Sequence, residues 1–438
     1  MKMLKRVQGI VLAMSAIIGM MGCSSQNHKD KEMLPPLPAQ SFANSTKSIQ
    51  LHSIKSTRRP VKPTKFHLKG VSEDKQVEGA SRQGMHRAVE ADSREAIAGQ
   101  SLSSRRQPVR GIYVSGWVAG SKHRLDRLIQ LVDKTDLNAM VIDVKNDYGQ
   151  LTYRSSLPAV KAIGADRHVA INDISGLICK LKAKNIYVIG RVVAFKDPLY
   201  AKQYPAMALQ KRNGGVWHDV QGKAWLDPFQ SQVRTYNIAI AEEAAAKGFD
   251  EIQFDYVRFP DNGGKVDREV RYYNPRGKSK AQMISTFLSS ARHQLHVKGA
   301  RVSADVFGLV TSSTNDMGIG QSWRSISGAV DVISPMTYPS HYSTGMYGVK
   351  QPDLSPYAII HHAMADAQHR NAIMRQSGHA STAQVRPWLQ SFTAKWVHPH
   401  QTYGAEQVNK QVQAARDQGI DEFLLWSSNC KYDYRSLF

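Results

Sequence analysis

Eight short apolar runs, seven helical patterns that alternate with them, and glycines placed where a helix hands over to a strand predict an α/β barrel over residues 107–438. Strands are expected at 111–117, 139–145, 187–195, 251–259, 301–307, 331–338, 385–392 and 422–427, and helices at 124–135, 174–184, 231–247, 281–297, 322–329, 355–374 and 404–418. Lys247-Gly248, Lys298-Gly299 and Gln418-Gly419 each set a Gly between a helix and the next strand, where a left-handed C-cap belongs. The repeating unit is helix, cap, strand. An open doubly wound sheet of this length would carry a Gly-rich phosphate turn near its start; none is present, so the units are expected to close into a parallel (β/α)8 TIM barrel. Only 428–438 follow the last strand, so the eighth helix is short or missing unless the N-terminal region covers the gap.

In chain order, the first strand leads to Trp117 and the second to Tyr148. Period-two alternation sets Asp143 and Lys145 on one face of strand two, opposite Met140, Ile142 and Val144. On strand four it sets Gln253, Asp255 and Val257 opposite Ile252, Phe254 and Tyr256; Arg258 follows, and Pro260 stops the ladder. Strand five carries Ser303, Asp305 and Phe307 on one face. Tyr338, His341 and Tyr342 follow strand six, Trp388 and Gln390 lie on strand seven, and Trp426 on strand eight. Cys179, in an amphipathic helix, reads as a small core residue, and nothing in the spacing argues for a disulfide with Cys430.

Upstream of the barrel the texture differs. Lys2, Lys5 and Arg6 precede the apolar run 10–21 and then Gly22-Cys23-Ser24-Ser25, the three-part layout of a secretory signal. The run is short for a membrane span. Cys directly after Gly is similar to a lipoprotein signal, which implies a signal peptide over 1–22, a lipidated Cys23 and, with Ser24, outer-membrane sorting in a Gram-negative cell. Met20-Met21 departs from the usual Leu and small residue, and a plain secretory signal is the other reading. Residues 23–106, rich in Ser, Lys, Arg, Gln, Pro and His, are expected to be a basic disordered tether, with a small independent domain as the alternative.

The formal net charge is +22, with 18 Lys and Arg against 8 Asp and Glu up to residue 106, and 40 against 28 beyond it. The basic character is therefore shared, and it suits anionic envelope components such as acidic polysaccharide, teichoic acid or lipid headgroups; the export signal disfavours nucleic acid. No Walker loop, Gly-x-Ser-x-Gly elbow or phosphate cup occurs. His361-His362 and His398-Pro399-His400 lack partners at metal spacing, so no metal or other cofactor is expected.

A carboxylate in an apolar strand costs several kcal/mol unless paired. Asp255 is thus either one half of a bracing Asp–Arg pair or part of a functional pocket. In a barrel of this kind the C-terminal strand ends line the catalytic mouth, and strands four and five offer Asp255 and Asp305 at similar height. Two such carboxylates suit glycoside hydrolysis, one acting at the anomeric carbon and the other protonating the leaving oxygen. Asp143, Lys145 and Arg258 would tune or position them, and Trp117, Tyr338, His341, Trp388, Gln390 and Trp426 would bind sugar. The alternatives are a catalytically inactive scaffold barrel that binds glycan or an envelope partner and, less well supported, a polysaccharide deacetylase.

The segments Arg110-Gly111-Ile112-Tyr113-Val114, Val141-Ile142-Asp143-Val144-Lys145, 249–260 with its Phe254-Asp255-Tyr256-Val257-Arg258-Phe259-Pro260, Val302-Ser303-Ala304-Asp305-Val306-Phe307-Gly308, 332–342 and Arg386-Pro387-Trp388-Leu389-Gln390 closely resemble the bacterial glycosyl hydrolase domain family once described as a domain of unknown function. The resemblance runs from about residue 108 to the C-terminus. It implies a TIM barrel related to alpha-amylase-type catalytic domains, with Asp255 as nucleophile and Asp305 as acid. Two departures from the amylase pattern are that Arg follows the strand-four Asp rather than preceding it, and that strand five carries Asp rather than Glu.

Overall fold

The computed structural model describes residues 107–379 and 381–432. The expected signal peptide, Cys23 and the tether lie outside them. Eight parallel strands, β1 (Arg110–Val114), β2 (Ala139–Lys145), β3 (Tyr187–Val193), β4 (Glu251–Asp255), β5 (Arg301–Phe307), β6 (Val332–Met336), β7 (Trp388–Gln390) and β8 (Phe423–Trp426), follow one another round the sheet in chain order. The ring closes where Trp388 pairs with Met336 on one side and Arg110 with Phe423 on the other. Helices α1 (Lys122–Val132), α2 (Ile174–Lys182), α3 (Ser231–Lys247), α4 (Lys280–Val297), α5 (Trp323–Ser327), α6 (Pro356–Gln376) and α7 (Ala405–Arg416) each lead into the next strand. The α/β TIM barrel expected from the repeating unit is the fold.

Local chemistry explains the element ends. Gly248 closes α3 at φ +108°, a conformation costly for a residue with a Cβ, and its N–H bonds back to the Ala244 and Ala245 carbonyls. The run 251–259 stops as a strand at Asp255, because Tyr256 turns to φ +47°. The run 385–392 breaks at Pro387, which has no N–H for the ladder, into Gln384–Val385 on the edge of β6 and β7 itself. No helix follows β8 among the described residues; instead the Tyr432 hydroxyl donates to the Tyr113 carbonyl at 2.8 Å, tying the segment after β8 to β1.

Outward faces of the strands pack on the helices. Phe254 meets Phe287 of α4 at 5.0 Å between ring centroids, and Phe195 meets the same ring at 5.2 Å; each fully buried ring contributes about 1.5–3 kcal/mol relative to exposure. Loops after β3 and β4 build one wall of the mouth, joined where Gln210–Lys211 pairs antiparallel with Val270–Arg271. One helix expectation fails in register: Cys179 lies on the exposed face of α2, beside the buried Ile178 that faces the sheet. Both Cys179 and Cys430 are free.

Candidate active site

The inward positions at the C-terminal end of the barrel are charged on four consecutive strands. Asp143 of β2 is the register partner of Arg191 of β3, and Arg191 that of Gln253, so Asp255 is the next inward position of β4. Arg191 Nη1 donates to Asp143 Oδ1 at 2.6 Å, while Nε and Nη2 both donate to Asp255 Oδ2 at 2.9 and 2.6 Å. The Tyr113 hydroxyl from β1 donates to Asp143 Oδ2 at 2.6 Å, and the Tyr256 N–H caps Asp255 Oδ1 at 2.6 Å. One guanidinium therefore holds two carboxylates with charge-assisted bonds. Burial would weaken its charge, but Asp255 and Asp143 outweigh that and raise its pKa well above the ordinary arginine value.

Asp305 completes the set from β5. The register Phe254 to Ala304 makes 255 and 305 the next pair of neighbours. Asp305 Oδ1 accepts the indole N–H of Trp388, which lies on β7, the strand next but one, at 2.7 Å, and among the described residues it has no ion pair. Burial, and after it the charge of Asp255, push its carboxyl well above the usual carboxylate range. Asp143 is also raised, because burial outweighs Arg191 and Tyr113.

Aromatic rings line this pocket. Tyr113 stacks on Trp426 at 4.3 Å, the Trp388 ring meets Trp426 edge-on at 5.4 Å, and the Arg191 guanidinium lies 5.5 Å from the Trp426 centroid. Tyr338 is buried behind Asp305; burial first, then the charges of Asp305 and Asp255, raise its phenol pKa well above the ordinary value. His341 packs on Tyr338 at 5.4 Å, and burial pushes its imidazole down to about 4, so it is neutral near pH 7.

Asp143, Asp255, Asp305, Tyr338, Trp388 and Trp426 of the expected set thus fall in one largely buried cluster at the C-terminal end of the barrel. Lys145 is not with them. A bulge between Asp143 and Lys145 turns its side chain outward, where Nζ bonds Asp197 Oδ2 and Asn237 Oδ1, each at 2.8 Å, between sheet and α3. Arg258 does not pair with Asp255 either, because the turn at Tyr256 carries it away; it bonds Asp261 at 2.8 Å and lies 4.5 Å from the Phe307 ring centroid. Gln390 is fully buried and ties loops together, accepting from the Ser340 N–H and donating to Asp353. Trp117 is exposed on a short helix after β1. Residue reasoning overlooked Arg191 and Tyr113; a single Arg inside the apolar run Val188–Phe195 was the available signal.

Neighbouring carboxylates on the fourth and fifth strands of a parallel barrel, one bonded to a guanidinium and one without an ion pair, are the arrangement a glycoside hydrolase would use, and the family match places the chain in that class. It belongs to the family described as "Putative glycosyl hydrolase domain", whose model matches residues 111–432. It is similar to a hypothetical protein from Ruminiclostridium thermocellum, with 39% identity over 48% of this chain and 98% of that one and a TM-score of 0.41. The PgaB (BpsB) glycoside hydrolase domain from Bordetella bronchiseptica shares the fold at 16% identity, over 74% of this chain and 95% of that one, with a TM-score of 0.51. No curated protein matches the chain.

Proposed function

We propose that this chain hydrolyses glycosidic bonds of a bacterial envelope polysaccharide through Asp255 and Asp305. The observation that carries this reading is the neighbouring pair with opposite bonding: Asp255 accepts from Arg191 and Tyr256, whereas Asp305 beside it accepts only the neutral Trp388 indole N–H and has its pKa raised, which favours a retained proton. Adjacent strands lie about 4.8 Å apart, which favours the roughly 5–5.5 Å carboxyl separation of a retaining enzyme. Asp305 gives its proton to the glycosidic oxygen as the bond to the anomeric carbon breaks, and Asp255 Oδ1 attacks that carbon to form a glycosyl ester. Asp305, now a carboxylate, takes a proton from the water that opens the ester and frees Asp255. Arg191 orients Asp255 and balances its charge, while Trp426 and Tyr113 offer the sugar a stacking wall.

The envelope location, with lipid anchoring through Cys23 and a basic stretch to 106, is part of the proposal and rests on sequence alone. Anionic polysaccharide is the favoured substrate because of the net charge. The test is reducing-end release from a panel of bacterial envelope polysaccharides and exopolysaccharides by the full chain, beside Asp255→Asn and Asp305→Asn. Each substitution is expected to lower kcat about 10²–10⁴-fold with folding retained. Glycan binding without turnover in the unaltered chain would instead favour the scaffold barrel, a reading to which the near-complete burial of both carboxylates lends weight.

A further inference from the structure

The loop between β7 and α7 carries an exposed tryptophan that the catalytic pocket does not use. Trp396 is 54% exposed, yet its indole stacks on Phe392 at 6.0 Å and 15° between planes. Phe392 meets Tyr338 at 5.6 Å, and His341 bridges the two, 5.4 Å from Tyr338 and 6.5 Å from Trp396. A continuous aromatic ladder thus runs from the phenol beside Asp305 to an open indole face. The loop is anchored at its far end: the Gln401 N–H donates to Asp353 Oδ2 at 3.0 Å, its side-chain amide to the Asp353 carbonyl at 2.6 Å, and the Tyr403 hydroxyl to that same carbonyl at 2.9 Å.

A single exposed aromatic is ordinary on a protein surface; Trp396 differs because its indole continues a stacked aromatic run that leads inward to Tyr338. The electron-rich face of an indole suits the slightly positive C–H face of a pyranose, and binds it without a demand for any one hydroxyl pattern. We propose that Trp396 is a platform for sugar units of the glycan beyond those at the carboxylates, so that the chain acts on polymers and Trp396 sets how much of the polymer is held. This inference rests on the glycoside hydrolase reading. Phe392 and His341 hold the indole flat, and the neutral imidazole lets them do so without placing a charge under the sugar.

The experiment uses the full chain, first on the same polysaccharide panel, then on size-graded oligosaccharides of whichever glycan is cleaved. Trp396→Ala is expected to raise KM for the polymer and longer oligosaccharides about tenfold, while kcat and turnover of the shortest cleaved oligosaccharide stay within twofold; Trp396→Phe should recover most of the affinity. Affinity electrophoresis of Asp305→Asn through gels containing each panel polysaccharide gives a second readout, in which retardation should disappear when Trp396→Ala is added. Cleavage with an unchanged KM in Trp396→Ala, or a loss equal for short and long substrates, would overturn the platform and leave the hydrolase standing. Neither cleavage nor retardation on any polysaccharide would overturn both.

Discussion

The barrel holds an arginine between two carboxylates at each end, and the two ends behave differently. At the N-terminal end Arg386 donates to Glu251 at 2.8 Å and Glu422 at 2.7 Å, and Tyr187 donates to the other oxygen of Glu251 at 3.1 Å. Burial acts to raise the Glu251 pKa, but Arg386 and Arg301 outweigh it and leave it lowered. At the C-terminal end Arg191 serves Asp143 and Asp255 in the same way, but Asp305 stands next to them outside its reach, and its pKa is raised. In the lower cluster both carboxylates bond the guanidinium directly. The upper one adds a third carboxyl that its guanidinium does not bond, and that group is the one pushed upward.

Three experiments bear on that contrast, the largest expected effect first. Glu251→Gln removes one of the two counterions of a fully buried guanidinium and should cost about 3–5 kcal/mol in chemical denaturation. Asp305→Asn removes a group that must take up a proton on folding above its ordinary value, so near pH 7 it should not destabilise the chain, while it lowers kcat about 10²–10⁴-fold. If both variants lose stability alike, the upper cluster is structural and the contrast collapses.

The second experiment follows thermal stability against pH. Asp305, raised in the folded state, binds its proton more tightly there; its contribution is complete below the ordinary value of 3.8 and is lost as pH rises through the folded value. Glu251, lowered, contributes above its ordinary 4.5 and loses that as pH falls through the folded value. Asp305→Asn should therefore flatten the curve on its alkaline side and leave the acid side unchanged, by up to about 1.4 kcal/mol per pH unit. A curve unaltered on both sides would show that Asp305 ionises normally.

The third and smallest effect is at Trp388. Its N–H favours the charged form of Asp305. Trp388→Phe should therefore raise the carboxyl further and move the alkaline limb of the pH–rate profile upward by about one unit or less. A downward shift would contradict the bond.

The features the sequence disclosed are those fixed by local rules. Helix, cap and strand recur because Gly248, Gly299 and Gly419 each take the left-handed turn that the handover needs, and alternation alone placed Asp255 and Asp305 inward. What it could not disclose depends on single-residue breaks in register. The bulge before Lys145 reverses its face, the turn at Tyr256 removes Arg258 from the pocket, and α2 presents Ile178 rather than Cys179 to the core. Arg191 was legible in principle, since a cation in an apolar run carries the same message as Asp255. Its partners come from β2 and β4, so only the closed ring reveals what it serves.

The indole of Trp388 can only donate, so Asp305 Oδ1 is held as an acceptor and Oδ2 is the oxygen left to carry a proton. The carboxyl thereby has a front and a back. Under the proposed mechanism, whichever flank of a sugar ring faces Oδ2 would receive the proton, and a side chain on β7, a strand that supplies neither catalytic carboxyl, would make that choice.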